Sequence, residues 1–271
     1  MRKLLIGCLV AVAALGITAV ALAVTVQNYK QTFSSKKPGK PSGSVFHANS
    51  NDSANTSNNQ QPAAAKEVDI IFPKGSAVDQ KAIPTCSASD QDFSSKGQAA
   101  CPSKSQIGHQ KPKCHASGAQ ANCSGHASLR LRFGNKGSAA DIAARIYAFN
   151  GKNKTLILYI VPNGANPIVL RPKIKTGKTP KIITKIPGIC TLPPTGQSYP
   201  NCGAAGEARL DDLDLTIDKL GSKTKPYLKT PPTCPSSKKW VFKATWHYRP
   251  ATSGEPPQPA SDTKTSNSPC K

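Results

Sequence analysis

The sequence predicts an all-β protein, an antiparallel β-sandwich of the immunoglobulin-like type or a related one, with loops held by disulfides. Several short segments alternate apolar and polar residues with a period of two, which is the pattern of strands that bury one face. Glycine-containing turn signals, such as Asn150-Gly151 and Thr176-Gly177, separate most of these segments. The chain has 24 prolines and no long amphipathic run, which argues against an α or α/β fold.

Residues 1–23 have the order of a secretory signal. Arg2 and Lys3 precede a charge-free stretch over residues 4–26, which contains the small-residue triplet Ala-Leu-Ala ending at Ala23. This stretch exceeds the ~7–15 residues of an ordinary signal core and is close to the ~20 that span a bilayer. Two alternatives remain: cleavage after Ala23, or an uncleaved membrane anchor through residues 4–26. Both place the body outside the membrane, so the predicted localisation is secreted or cell surface.

Residues 24–65 form a predicted linker between this segment and a β-sandwich domain over residues 66–271. The linker is rich in Asn, Ser and Lys and nearly free of large apolar side chains. Such a composition buries too little apolar surface to offset the conformational entropy lost on folding, so we expect it to be disordered. The remaining segment is long enough for one domain with its own core.

Strand patterns extend through the predicted domain. In residues 240–248, apolar residues alternate with polar ones, which places Trp240 and Trp246 in the core; a sugar-stacking platform is the alternative. Residues 156–161 are apolar on both faces, as in a central strand. Further strands are predicted at residues 68–72, 129–133, 142–149, 168–174, 181–186 and 213–217. One short helix, capped by Ser87 or Ser89, is predicted within residues 80–108.

The cysteines indicate an oxidising compartment. The chain has nine, of which Cys8 lies in the N-terminal apolar stretch, and the other eight make an even number. An even number in an exported chain is typical of a disulfide framework, although the connectivity stays open. The spacing favours nearest neighbours: Cys86 with Cys101, Cys114 with Cys123, Cys190 with Cys202, and Cys234 with Cys270.

The chain is strongly basic. Lys and Arg number 36 against 14 Asp and Glu, which gives a formal net charge of +22. One interpretation is a solvated surface, and the other is an anionic partner, either an anionic cell-wall polymer or a polysaccharide. Because the lysines are spread along the chain and no nucleic-acid-binding module occurs, we predict no specific nucleic-acid partner.

Cysteines and histidines cluster between residues 109 and 126. The cluster contains His109, Cys114, His115, Cys123 and His126. Such residues can ligate zinc, but their spacing matches no established finger or ribbon. Two cysteines in an oxidising compartment are expected to pair with each other, so we predict a disulfide loop rather than a metal site.

Acidic residues alternate with apolar ones along residues 210–218. The apolar residues are predicted to point inward, and Asp212, Asp214, Thr216 and Asp218 outward. Carboxylates on one face suit calcium binding or paired acid and base chemistry. Pairing with side chains of neighbouring strands is the simpler interpretation, and we prefer it.

The sequence contains no motif of an enzymatic nucleophile. G-x-S-x-G, H-E-x-x-H and a phosphate-binding glycine loop are all absent. We therefore predict a non-enzymatic protein of the cell envelope or extracellular space, without catalytic residues, a cofactor or a metal. The alternative is a secreted hydrolase that pairs His247 with Asp212 or Asp214, which requires these side chains to converge in one cleft.

Five short motifs occur in order along the chain. They are FPKG at 72–75, IPTC at 83–86, ACPSKSQIG at 100–108, AFNG at 148–151, and TCP followed by WVFKA within 233–244. Together they resemble a group of uncharacterised exported proteins of soil actinobacteria, over most of residues 68–270. The resemblance implies an exported β domain with the bridges Cys86–Cys101 and Cys234–Cys270, and it implies no activity. The chain departs from the group's pattern at residues 109–128 and 190–202, which look like loop insertions that each carry a disulfide.

Overall fold

A computed structural model describes residues 25–26, 28–50, 63–109, 129–132, 141–162, 167–188, 209–250 and 259–271. The side chains of residues 129–132, 141–142 and 210–211 are not included in this description. The predicted signal or anchor at 1–23 and the predicted bridges Cys114–Cys123 and Cys190–Cys202 lie outside the described residues. Within the described part, no helix is long and apolar enough to cross a membrane.

The described residues form an antiparallel β-sandwich, which confirms the predicted fold class. The strands are β1 Asn28–Phe33, β2 Ser44–Asn49, β3 Ala65–Ile71, β4 Ala77–Val78, β5 Gln106–His109, β6 Leu129–Arg132, β7 Asp141–Asn150, β8 Leu156–Pro162, β9 Ile168–Leu170, β10 Lys173–Lys175, β11 Lys181–Lys185, β12 Arg209–Ile217, β13 Leu228–Lys229, β14 Lys239–Tyr248 and β15 Ser261–Pro269. The first sheet has the order β1-β2-β12-β5-β7-β8-β9, and β6 also pairs with β12 and β7. The second sheet has the order β10-β11-β3-β14-β15, while β4 and β13 pair separately.

One predicted strand is in fact two. Residues 168–174 divide into β9, at the edge of the first sheet, and β10, at the edge of the second. The chain passes between the sheets at Arg171 and Pro172, and proline has no N–H with which to continue a strand ladder. The Leu156 N–H donates to the Pro172 carbonyl at 2.8 Å, which joins β8 to this crossing. The two sheets are therefore covalently continuous at this edge.

The predicted linker over residues 24–65 is wrong for residues 28–50, which form β1, β2 and their connection. β1 pairs with β2, and β2 pairs with β12, so both strands belong to the first sheet. Few apolar side chains are needed here because polar residues also point inward. Gln31 is buried and its side-chain amide donates to the Ser44 hydroxyl at 3.3 Å, while its carbonyl oxygen accepts from the Tyr29 hydroxyl at 2.7 Å. Residues 51–62 lie outside the described residues.

Serine hydroxyls close the other edge of the sandwich, where β1 lies beside β15. The Ser266 hydroxyl accepts from the Gln31 N–H at 2.8 Å and donates to the Gln31 carbonyl at 2.9 Å. The Ser268 hydroxyl accepts from the Phe33 N–H at 2.9 Å. These bonds satisfy buried backbone groups of β1 that face away from β2. We call this contact between β1 and β15 the serine seam.

Aromatic side chains fill much of the space between the sheets. Trp240 and Trp246 are 2% and 1% exposed, which confirms the predicted core positions and contradicts a sugar-stacking platform. Phe33 of the first sheet lies edge-on to Trp240 at 5.5 Å between ring centroids and contacts Phe242 at 4.8 Å. Tyr29 makes the corresponding edge contact with Trp246 at 5.5 Å. Such edge-on pairs are favourable in addition to the apolar area that they bury.

A third layer covers the outer side of β7 and β8. It contains the helix α1 Asp90–Lys96, whose Phe93 is 1% exposed and stacks on Tyr159 at 4.8 Å. The predicted short helix is thus confirmed, and its cap is Ser89, which forms a reciprocal capping box with Asp92. The bridge Cys86–Cys101 fixes the same layer. The ladder of β14 and β15 is closed by Cys234–Cys270.

Candidate functional site

The outer face of the second sheet carries a group of lysines that the strand register brings together. Strand register places Lys175, Lys181, Ile71, Lys243 and Thr265 in one row across all five strands. The same face carries further lysines on β10, β11 and β14, and we call the six together the lysine face: Lys173, Lys175, Lys181, Lys185, Lys239 and Lys243. Three strand spacings of about 4.8 Å separate β10 from β14, so this charge extends over roughly 14 Å.

Two carboxylates lie within the lysine face, both on the central strand β3. Asp69 is 7% exposed, and its Oδ2 lies 2.5 Å from the Lys181 Nζ and 3.4 Å from the His247 Nε2. Glu67 lies opposite Lys185 on one side and His247 on the other. The carboxylates neutralise part of the charge at the centre, while five of the six lysines are exposed.

The β15 edge of this face is neutral and polar. Thr245 and Thr263 lie opposite each other, with their hydroxyl oxygens 3.0 Å apart. Thr265 and Asn267 continue the exposed face along β15, and Val241 of β14, which lies opposite Asn267, is 50% exposed. The ammonium groups of the lysine face therefore lie next to the hydroxyl and amide groups of β15 on the same face of the sheet.

The outer face of the first sheet carries histidines beside carboxylates. His47 of β2 places its Nδ1 3.1 Å from the Asp214 Oδ1 and 3.7 Å from the Asp212 Oδ1. His109 of β5 places its Nδ1 3.0 Å from the Asp218 Oδ2. Asp212, Asp214 and Asp218 therefore pair across the sheet, as predicted, but their partners are histidines.

Two trios of side chains have the composition of a metal site. They are His47, Asp212 and Asp214 on the first sheet, and Glu67, Asp69 and His247 on the second, with ligand atoms within 4.8 Å of one another in each trio. In the second trio Lys181 already contacts the Asp69 carboxylate, and the surrounding lysines repel a cation. In the first trio the His47 imidazole already lies against both carboxylates, and its Nδ1 is within hydrogen-bond distance of the Asp214 Oδ1.

The structure separates the side chains of the predicted hydrolase pairing. His247 lies on β14 of the second sheet, and Asp212 and Asp214 lie on β12 of the first sheet, with each set on the outer face. The predicted alternative pairing of His247 with these aspartates is therefore wrong. His247 pairs with Asp69 instead.

Buried tyrosines offer no acid or base in the ordinary pH range. Burial raises the pKa of the Tyr29, Tyr227 and Tyr248 phenols above the ordinary value. All three therefore stay protonated, and Tyr29 uses its proton to bind Gln31.

Of the predicted site residues, the structure pairs Cys86 with Cys101 and Cys234 with Cys270, at Cα distances of 5.1 and 5.7 Å. Of the histidine and cysteine cluster at 109–126, only His109 lies within the described residues, where it contacts Asp218. Residues 110–128 are outside them.

Sequence reasoning missed the lysine face, although a signal was present. The six lysines form three pairs whose members are two or four positions apart in the sequence: Lys173 and Lys175, Lys181 and Lys185, and Lys239 and Lys243. Residues at even spacing on a strand share a face, so each pair could have been placed on one side of its strand. His47 was missed because its segment was taken to be a linker.

Comparison of the chain with known protein families, with curated proteins and with solved structures found no match.

Proposed function

We propose that this protein is a non-enzymatic binding domain of the cell surface or extracellular space that holds an anionic polymer against the lysine face. The observation that carries the proposal is the row of lysines that strand register aligns across the second sheet. Linear polyanions bind to aligned cations and release their own counterions, which favours binding at low salt. A chain with a net charge of +22 also attracts such polymers over a distance.

An acidic polysaccharide or an anionic cell-wall polymer fits this surface better than other polyanions. Its charged groups can contact the exposed lysines, while its hydroxyl groups can exchange hydrogen bonds with Thr263, Thr265 and Asn267 on the adjacent strand. The two disulfides support an oxidising compartment, where such polymers occur. The one hydrolase pairing that the sequence suggested, His247 with Asp212 or Asp214, is divided between the two sheets.

The experiment compares two variants that lose the same charge. One variant replaces Lys175, Lys185 and Lys243 with glutamine. It keeps Lys181, because removing this lysine would leave the buried Asp69 without its lysine partner. The affinity for heparin, as a probe polyanion, is measured against salt concentration. The logarithmic salt slope should fall by about one for each lysine contact removed.

The matched control replaces three exposed lysines elsewhere, Lys104, Lys223 and Lys225, with glutamine. It has the same net charge as the first variant, and we expect a salt slope close to that of the unmodified protein. Equal losses of affinity in both variants would show that only total charge matters, and would reject the lysine face as the site.

A further inference from the structure

A cavity of about 180 Å³ lies between the two sheets, away from the lysine face. Its wall is apolar except at Gln31, Ser44 and Thr184. On β12, the side chains of Leu213 and Leu215 point into it and remain partly exposed, although they face the interior of the sandwich. Leucines that face inward and remain partly exposed indicate that the two sheets leave space between them here.

The wall offers a bound molecule mainly apolar contacts and few polar groups. The Gln31 side chain is already bonded to Tyr29 and to Ser44, so these polar groups need no partner from a ligand. Transfer of apolar surface from water to such a wall is favourable. A cavity of about 150 Å³ with a similar aliphatic and aromatic wall takes up benzene in another protein, so the volume here is sufficient for a small apolar body.

The shape of the wall favours a linear body. Three alternate residues of each of β8 and β12 contribute to it, for example Leu156, Leu158 and Ile160 on β8, and β11 contributes Ile182 and Thr184. Four residue steps at about 3.3 Å each give a length of roughly 13 Å along the strands, between sheets that lie roughly 10 Å apart. A cavity of this volume spread over that length is narrow, so it suits a single unbranched chain rather than a fused ring.

We propose that the cavity between the sheets binds a hydrocarbon chain, that of a fatty acid or of a membrane lipid. The inference rests on the interior of the sandwich and is independent of the lysine face. It makes this domain a carrier or sensor of an apolar chain in addition to a binder of anionic polymer.

The experiment uses the two tryptophans of the chain as a local readout. Trp246 lines the cavity, whereas Trp240 does not, and bromine quenches indole fluorescence only on contact. The probe is dodecanoic acid brominated at its terminal carbon, titrated into the purified Trp240→Phe and Trp246→Phe variants. We expect saturable loss of most of the fluorescence in Trp240→Phe, which retains Trp246, and little loss in Trp246→Phe. In a second experiment, the protein is incubated with phosphatidylcholine vesicles that carry brominated chains. The protein is then separated from the vesicles, and its tryptophan fluorescence is measured.

Quenching by brominated dodecanoic acid alone identifies the ligand as a free fatty acid. Quenching that persists after the vesicles are removed identifies it as the chain of a membrane lipid. Leu215→Phe should fill the cavity and abolish the quenching of Trp246, while Val241→Phe on the exposed outer face should leave it unchanged. Equal quenching of both tryptophans, or no saturable quenching in either experiment, would overturn the proposal. The tryptophan pair decides the question even if Leu215→Phe fails to fold.

Discussion

Replacing Ser266 with alanine is expected to lower the free energy of unfolding by about 2–6 kcal/mol, because it removes the hydroxyl that two buried backbone groups of the serine seam bind. The hydroxyl of Ser266 satisfies both the N–H and the carbonyl of Gln31, and both residues are buried. A buried polar group that loses its partner costs about 1–3 kcal/mol, and here two groups lose one. Ser268→Ala removes the partner of one group only, the Phe33 N–H, so it should cost about half as much.

The measurement is equilibrium unfolding in urea, followed by tryptophan fluorescence, with hydrogen exchange at the amides of Gln31 and Phe33 as a local readout. Ser261→Ala is the control, since this serine lies on the exposed face of the same strand and should change stability by less than about 0.5 kcal/mol. If Ser266→Ala and Ser261→Ala have the same stability, the seam does not hold the sheets together and the reasoning fails.

Two further predictions concern the disulfides and the helix cap. Replacing both cysteines of Cys234–Cys270, which are 36 residues apart, should cost about 4 kcal/mol, against about 3 kcal/mol for Cys86–Cys101, which are 15 apart. Urea unfolding of the two variants tests this order, and a reversal would contradict it. The hydroxyl and backbone hydrogen bonds of Ser89, together with Lys96, lower the pKa of Asp92 to about 2. The cap therefore stabilises α1 above the ordinary carboxyl pKa of about 3.9 and loses this contribution as the pH falls towards 2. Ser89→Ala should flatten the dependence of stability on pH in that window, and an unchanged profile would refute the assignment.

The sequence predicted β8 and β14, whose inward positions are apolar, and missed β1 and β15, where polar residues occupy inward positions. β14 was identified because large apolar residues alternate along it. β1 and β15 were missed because Gln31, Ser266 and Ser268 occupy inward positions, and such residues show no hydrophobic period. Their burial depends on partners 235 residues away in the chain, and no local pattern encodes such a pairing.

The candidate sites depend on register, which also lies beyond local patterns. Alternation could place Lys243 and Lys175 on the polar faces of their strands, but only the pairing of β10, β11, β3 and β14 aligns them in one row. Likewise, the period of β12 predicted that Leu215 points inward. It could not predict the space between the sheets, which depends on how every facing side chain packs.

The most direct test of the lysine face is to map the lysines that a bound polyanion protects. The protein is acetylated with and without saturating heparin at low salt, and the modification rate of each lysine is measured by mass spectrometry. The account predicts strong protection of Lys175, Lys185 and Lys243, weak protection of Lys104 and Lys223, and loss of all protection at high salt. Protection that is uniform over the surface, or stronger at Lys104 and Lys223, would contradict the account.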